Sequence, residues 1–312
     1  MNRRTKMVFW AVLLALVGWG IYAATGRALA DFEQHNFDFS GLNYGRLALA
    51  GIVYLLGLLP CCWFWRLTLR AMKQDPTWSS TVRAYYLGHL GKYVPGKALV
   101  VILRATAMGG AGVNTGIAAG TVFIETLTMM AVGAFLAAVV LAWLAINAWL
   151  TILGIALAAA AMAPTLPPVF RFLVRLLRLE KRIPAELLTW RTILAGWLAM
   201  VPCWLLLGTS MLIVVSAVTP VTTPNPLGLE DLPYLTAAVS LAMVAGFLSL
   251  LPGGILVRDY VAIEVLAHHA GLGAGVGLVA AIVLRFVWLI SEVAISAILY
   301  ALPTGRTTAA HK

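Results

Sequence analysis

The sequence predicts an all-α polytopic membrane protein, with about six transmembrane helices and two re-entrant broken-helix pairs arranged as an inverted repeat. Three observations lead there. Of 312 residues, 62% are hydrophobic and 11% charged, against about 25% charged in soluble chains. Apolar runs long enough to cross a hydrocarbon core of ~30 Å recur along the chain. Between them lie two stretches too polar and too interrupted to be ordinary spans, GHLGKYVPGKALVVILR at 88–104 and LLPGGILVRD at 250–259.

The whole chain, 1–312, reads as one membrane domain: a first helix within 1–25, a first repeat half over 45–144, a linking helix and basic loop over 145–192, and a second half over 193–302. Arg3, Arg4 and Lys6 precede the run Met7–Ala24. Ala28-Leu29-Ala30 resembles a signal-peptidase site, but the run is longer than a usual signal core. An uncleaved helix with a cytoplasmic N-terminus is the expectation. A second helix over Gly45–Met72 returns to the basic cluster Arg66, Arg70, Lys73. Spans are expected over Asn114–Leu144 and Ala148–Ala163, with Trp143 and Trp149 flanking the turn as interfacial aromatics do. Arg171, Arg175 and Arg178 then follow at i, i+4 and i+7, a pattern suited to a short amphipathic helix on the cytoplasmic surface. Further spans are expected over Ile193–Val218 and Ala274–Leu302.

A hairpin returns to the side it left, so both ends of Ser79–Asn114 are expected on the cytoplasmic side. Proline lacks an N–H and disfavours helix in the residue before it. One arm should therefore end near Tyr93, and the next should begin after Gly96. The second arm, Ala98–Met108, is about half the length needed to cross. The second half repeats the device: Leu232–Leu251 leads to the Pro252-Gly253-Gly254 break, then to a polar arm carrying Arg258 and Asp259. A cytoplasmic C-terminus requires this second pair to be re-entrant from outside, which gives the two halves opposite orientations.

Charge narrows the function. Lys and Arg number 22 against 12 Asp and Glu. The excess clusters in loops, which is a topology signal and favours anionic lipid over nucleic acid. Cys61, Cys62 and Cys203 lie in apolar runs and suggest neither a disulfide frame nor a zinc site. Gly91 to Lys97 fits the start of a P-loop, yet Ala98 replaces the Mg²⁺-binding hydroxyl and no strand precedes it. No nucleophile–base or metal constellation is visible, so neither an enzyme nor a cofactor is expected.

A helix beginning after Gly96 would present free N–H groups beside Lys92 and Lys97, a setting for an anion. Pro95, Gly96, Lys97 and Arg104 in the first break, with Pro252, Gly253, Gly254 and Arg258 in the second, would flank a headgroup. Intramembrane charges are functional candidates by default. Glu125 and Arg285 lie about equally deep in the long helices, and so form a candidate ion pair as well as candidate substrate contacts. Glu292 shares a face with Arg285.

These two motifs, with Glu125 between them, resemble the flippase-like membrane domain of lysylphosphatidylglycerol synthases, also called multiple peptide resistance factors. The resemblance covers nearly the whole chain. It implies a multi-pass protein of the bacterial cytoplasmic membrane that moves lipids such as aminoacylated phosphatidylglycerol between leaflets. Its substrate-binding residues would be Lys92, Tyr93, Pro95, Gly96, Lys97, Arg104, Glu125, Pro252, Gly253, Gly254, Arg258, Asp259 and Arg285, and its partner the headgroup phosphate. The chain departs from the family pattern at Leu99, Thr126, Leu256 and Asp259. No soluble aminoacyl-transferase region follows the last helix, so a separate lipid-synthesising enzyme would supply the substrate. A homo-oligomer stays open. The alternatives are an ion-coupled secondary transporter of a small solute and a non-transporting partner of a lipid- or glycan-synthesis complex. A fluorescent protein fused after Lys312 is expected to fluoresce, and alkaline phosphatase at the same point to be inactive; an active phosphatase would remove the opposite orientation of the halves.

Overall fold

The computed structural model describes residues 42–93, 98–143, 148–180, 183–218, 227–249, 254, 257–268 and 274–302. The predicted first helix and the Ala28-Leu29-Ala30 site lie outside them. The described residues form ten α-helices, joined in places by 3₁₀ turns: α1 Tyr44–Ala71, α2 Trp78–His89, α3 Ala98–Gly109, α4 Thr115–Trp143, α5 Ala148–Met162, α6 Pro167–Leu176, α7 Trp190–Val218, α8 Leu232–Leu248, α9 Val257–Ala267 and α10 Ala274–Ala301. Side chains define several starts. Asn43 accepts from the Arg46 N–H ahead of α1, Thr77 caps α2 through Ser80 N, and Asn114 accepts from Gly116 N and Ile117 N at α4.

Five stretches are long and apolar enough to cross a membrane: Tyr44–Ala71, Thr115–Trp143, Trp190–Val218, Leu229–Leu248 and Val276–Ala301. Two expectations shift. The α5 helix, expected to span, has 15 residues and at ~1.5 Å per residue reaches about three-quarters of the way across. Leu232–Leu251, expected as a re-entrant arm although long enough to cross, falls largely within Leu229–Leu248, which has the length and composition of a span. The predicted amphipathic helix is present as α6. Phe170 and Val174 turn inward, while Phe172 and Leu176 are exposed beside Arg171 and Arg175.

The central seam joins α1 and α7, which run antiparallel. Arg46 Nη1 donates to Ser216 O at one end, and Ser210 Oγ to Ala50 O nearby. At mid-seam Cys61 Sγ lies 3.2 Å from Cys203 Sγ, and further along Phe64 packs on Gly196. The two cysteines each follow a proline carried inside the helix, Pro60 and Pro202. Exchanging α1, α2, α3 and α4 with α7, α8, α9 and α10 leaves the pattern of packed helix pairs unchanged. Thus α2 packs on α10 as α8 packs on α4, and α3 packs on α4 as α9 packs on α10. Because the equivalent helices α1 and α7 are antiparallel, the relation is that of an inverted repeat.

Buried tryptophans tie the layers together. Trp65 donates to Thr121 Oγ1 on α4, Trp288 to Ser210 Oγ on α7, and Trp204 to the Met129 carbonyl on α4 at 2.9 Å. Trp204 fits because position 133 has no side chain: a Cβ on Gly133 would lie 2.3 Å from the indole Cζ2. With the indole fixed by its hydrogen bond, it cannot yield without losing that bond. Gly133→Ala is therefore expected to destabilise the protein by about 1–3 kcal/mol, read as a lower melting temperature in detergent.

Candidate functional site

The first polar cluster is assembled by close approach of α2 and α3. A Cβ on Gly88 would lie 2.4 Å from Arg104 Cγ, and one on Gly91 would lie 2.7 Å from the Val100 N. Only glycine lets the arms meet this closely. That approach places the Arg104 guanidinium 3.8 Å from the Tyr85 ring centroid and 5.4 Å from that of Trp65. Its Nη1 is 2.8 Å from Glu125 Oε2 on α4, and Tyr85 OH donates to Glu125 Oε1 at 3.0 Å. Thr126 Oγ1 adds a 3.3 Å bond to the same carboxylate. Arg104 and Glu125 are each 2% exposed.

The second cluster joins the halves. After α2 the chain makes one 3₁₀ turn, Leu90–Tyr93, which carries Lys92 toward α10. Glu292 Oε1 accepts from both Lys92 Nζ and Tyr54 OH. The Tyr54 ring is stacked on Trp288, 4.2 Å between centroids. His89 stands between the clusters: Nδ1 is 3.3 Å from Arg104 Nη2, and Nε2 is 3.4 Å from Tyr54 OH.

The third group belongs to the second half. Gly254 has a left-handed φ of +70° and abuts Gly246, which also receives the Arg258 side chain: a Cβ on Gly246 would lie 2.9 Å from Arg258 Cβ. Arg258 on α9 thus rests on a glycine of α8 as Arg104 on α3 rests on a glycine of α2. Its guanidinium lies 4.6 Å from the Trp288 ring centroid, a cation–π contact. Arg285 Nη2 is 2.8 Å from Asp259 Oδ2.

The Glu125–Arg285 ion pair expected from equal depth is not formed. Each long helix packs on the second arm of its own half, so Glu125 meets Arg104 and Arg285 meets Asp259. Lys92, Tyr93, Arg258, Asp259 and Arg285 gather near the junction of the halves. Arg104 and Glu125 are sealed against one another beside them. Pro95, Gly96, Lys97, Pro252 and Gly253 lie outside the described residues. Sequence reasoning gave no role to Tyr54, Tyr85, His89, Trp288 or Glu292. A carboxylate within an apolar helix is itself a signal, and it was available for Glu292. For the two tyrosines nothing in the sequence distinguishes a hydrogen-bonding phenol from an interfacial one.

Fold and site together define a multi-pass helical membrane protein with a buried, charge-rich centre. The family model described as Lysylphosphatidylglycerol synthase TM region matches residues 5–296, and the chain belongs to that family. It is thereby a membrane protein of the flippase-like, lipid-related class. A comparison with curated proteins finds no match.

Removing one member of a buried pair strands the other charge, at a cost of about 3–5 kcal/mol. Glu125→Gln is expected to lower the melting temperature accordingly. Adding Arg104→Gln should restore much of the loss, whereas adding Arg285→Gln should restore none.

Proposed function

We propose that the protein is a lipid translocase that moves an anionic or aminoacylated phospholipid, or a related lipid, between leaflets, without catalysis and without a cofactor. The observation that carries this reading is a charge mismatch. Among the described residues of the site, Lys92, Arg104, Arg258 and Arg285 face three carboxylates, Glu125, Asp259 and Glu292. Among the described residues, Arg258 is the cation of this site that is paired with no carboxylate. A headgroup phosphodiester supplies the missing negative charge and accepts charge-assisted hydrogen bonds.

Accessibility supports the same end of the site. The side chains of Lys92 and Arg285 are 21% and 11% exposed, whereas Arg104 and Glu125 are at 2%. The phosphate therefore meets Arg258, Arg285 and Lys92, and the Arg104–Glu125 pair serves as the rigid base beneath them. Asp259, at 21%, is the most open of the three carboxylates. It is the one that a cationic aminoacyl group can reach.

The two halves, taken as 45–144 and 193–302, then act as inverted units whose broken arms, read as re-entrant, meet at a shared site. Rocking of one half against the other would expose that site to each leaflet in turn, while the acyl chains stay in the bilayer. On this reading the chain sits in the bacterial cytoplasmic membrane with its N-terminus inside. In proteoliposomes containing fluorophore-labelled phosphatidylglycerol, the parental protein is expected to expose inner-leaflet label to an external quencher. Arg258→Ala removes a charge-assisted contact of about 1.5–3 kcal/mol, so its rate should fall roughly tenfold to a hundredfold with little change in melting temperature. A parental rate in a folded Arg258→Ala protein would remove the proposed role of this arginine.

A further inference from the structure

The carboxylate that holds Lys92 is incompletely satisfied. Glu292 is 1% exposed, and its Oε1 takes both Tyr54 OH and Lys92 Nζ. Its other oxygen, Oε2, is buried and has no hydrogen-bond partner among the described residues. Groups face this carboxylate from every neighbouring element. Tyr54 comes from α1, His89 from α2, and Lys92 and Tyr93 from the turn that follows, while Arg258 on α9 lies close enough to act on the same two tyrosines. Arg285, held by Asp259, stands two turns earlier on α10 itself, and α7 contributes Ser210 through Trp288.

Hydrogen bookkeeping shows where this cluster can take up a further proton. A guanidinium only donates, so His89 Nδ1, 3.3 Å from Arg104 Nη2, is an acceptor without a hydrogen. His89 is then neutral with its hydrogen on Nε2, 3.4 Å from Tyr54 OH and 3.6 Å from Glu292 Oε1. Protonating Nδ1 would set two cations against each other and break the Arg104 contact. Tyr54 already directs its hydrogen to Oε1, and Lys92 is fully protonated as an ammonium. The acceptor left with room for a proton is Glu292 Oε2.

We propose that Glu292 is a protonation gate for Lys92, an inference that rests on the translocase reading above. With Glu292 ionised, Lys92 is held by the carboxylate, and a lipid phosphate is met by Arg258 and Arg285 alone. A proton taken from water onto Oε2 converts Glu292 to the neutral acid and removes the counter-charge from Lys92. The ammonium then turns to the phosphate, which passes from the arginines of the second half to the lysine of the first. Loss of that proton restores the Lys92–Glu292 bond and lets the phosphate go. Headgroup loading at Arg258 needs no proton, whereas transfer between the halves does.

The test is the pH profile of translocation in proteoliposomes with labelled phosphatidylglycerol. The parental rate is expected to rise toward acid, by up to about tenfold per pH unit where one proton controls it. Glu292→Gln mimics the neutral acid and should translocate at a rate independent of pH, near the parental acid limit. Glu292→Asp should keep a pH dependence. A residue with only a structural role would lower the rate without flattening the profile. A flat parental profile, or a Glu292→Gln protein with the parental profile, would overturn the gate while leaving the translocase reading intact. If the parental protein translocates nothing at any pH, the translocase reading fails and the gate with it. One measurement needs no variant that must fold: infrared spectra of the parental protein should gain a carboxylic-acid band as pH is lowered, and more of it with dihexanoylphosphatidylglycerol present. Absence of that band throughout the folded range would also overturn the gate.

Discussion

Charge in a low-dielectric interior has to be matched where it stands, and the Arg104–Glu125 pair is the contact on which the arrangement depends. An unpaired charge at that depth costs a few kcal/mol even by the lower scales. The helices that carry the two partners are therefore placed before anything else can be. Pairing Arg104 at 2.8 Å from Glu125 requires α3 to close on α2, and Gly88 and Gly91 make that closure feasible. Closure in turn sets the turn that delivers Lys92 to Glu292. The same logic runs differently in the second half. The long helix there bears Arg285, so Asp259 serves Arg285, Glu292 on the same helix is taken by Lys92 of the first half, and Arg258 rests on Trp288. By residue, the first half carries two cations against one carboxylate and the second two against two, and the Lys92–Glu292 bond across the junction leaves Arg258 as the cation without a carboxylate partner among the described residues.

The fold was legible because bilayer thickness and backbone satisfaction leave few choices for an apolar chain. Asn114–Leu144 was expected as a helix and Thr115–Trp143 forms one; Ala274–Leu302 was expected and Ala274–Ala301 forms. Proline chemistry leads one arm to end near Tyr93 and the next to begin after Gly96, and the described ends, Tyr93 and Ala98, agree. Length was a poorer guide in the linking region, where apolar character at 148–163 suggested a crossing that 15 residues do not provide.

The partners within the site were much less legible. Depth along a helix can be counted from the sequence, but the direction a side chain faces depends on which helix packs beside it. Glu125 and Arg285 matched in depth and were opposite in sign, yet each found a nearer partner on the second arm of its own half. Tyr54 and Tyr85 were invisible for the same reason: a phenol becomes a carboxylate's donor only when another helix brings the carboxylate to it. The motif residues Arg104, Arg258 and Lys92 did come out as members of one polar centre. Their local chemistry, charge beside glycine and proline in an apolar setting, does not depend on the neighbour.

The meeting of Cys61 with Cys203 has a consequence for how such a chain can originate. Under the exchange of halves these positions are counterparts, so each touches its own equivalent, 3.2 Å apart. Self-contact of that kind is the signature of an isologous interface, in which one surface patch serves both subunits. A half-length ancestor inserted into the membrane in both orientations would already possess this seam as a two-fold homodimer contact, with a Pro-Cys step facing its own copy. Fusing two such copies leaves the seam undisturbed and frees the two long helices to diverge, one keeping a glutamate and the other an arginine.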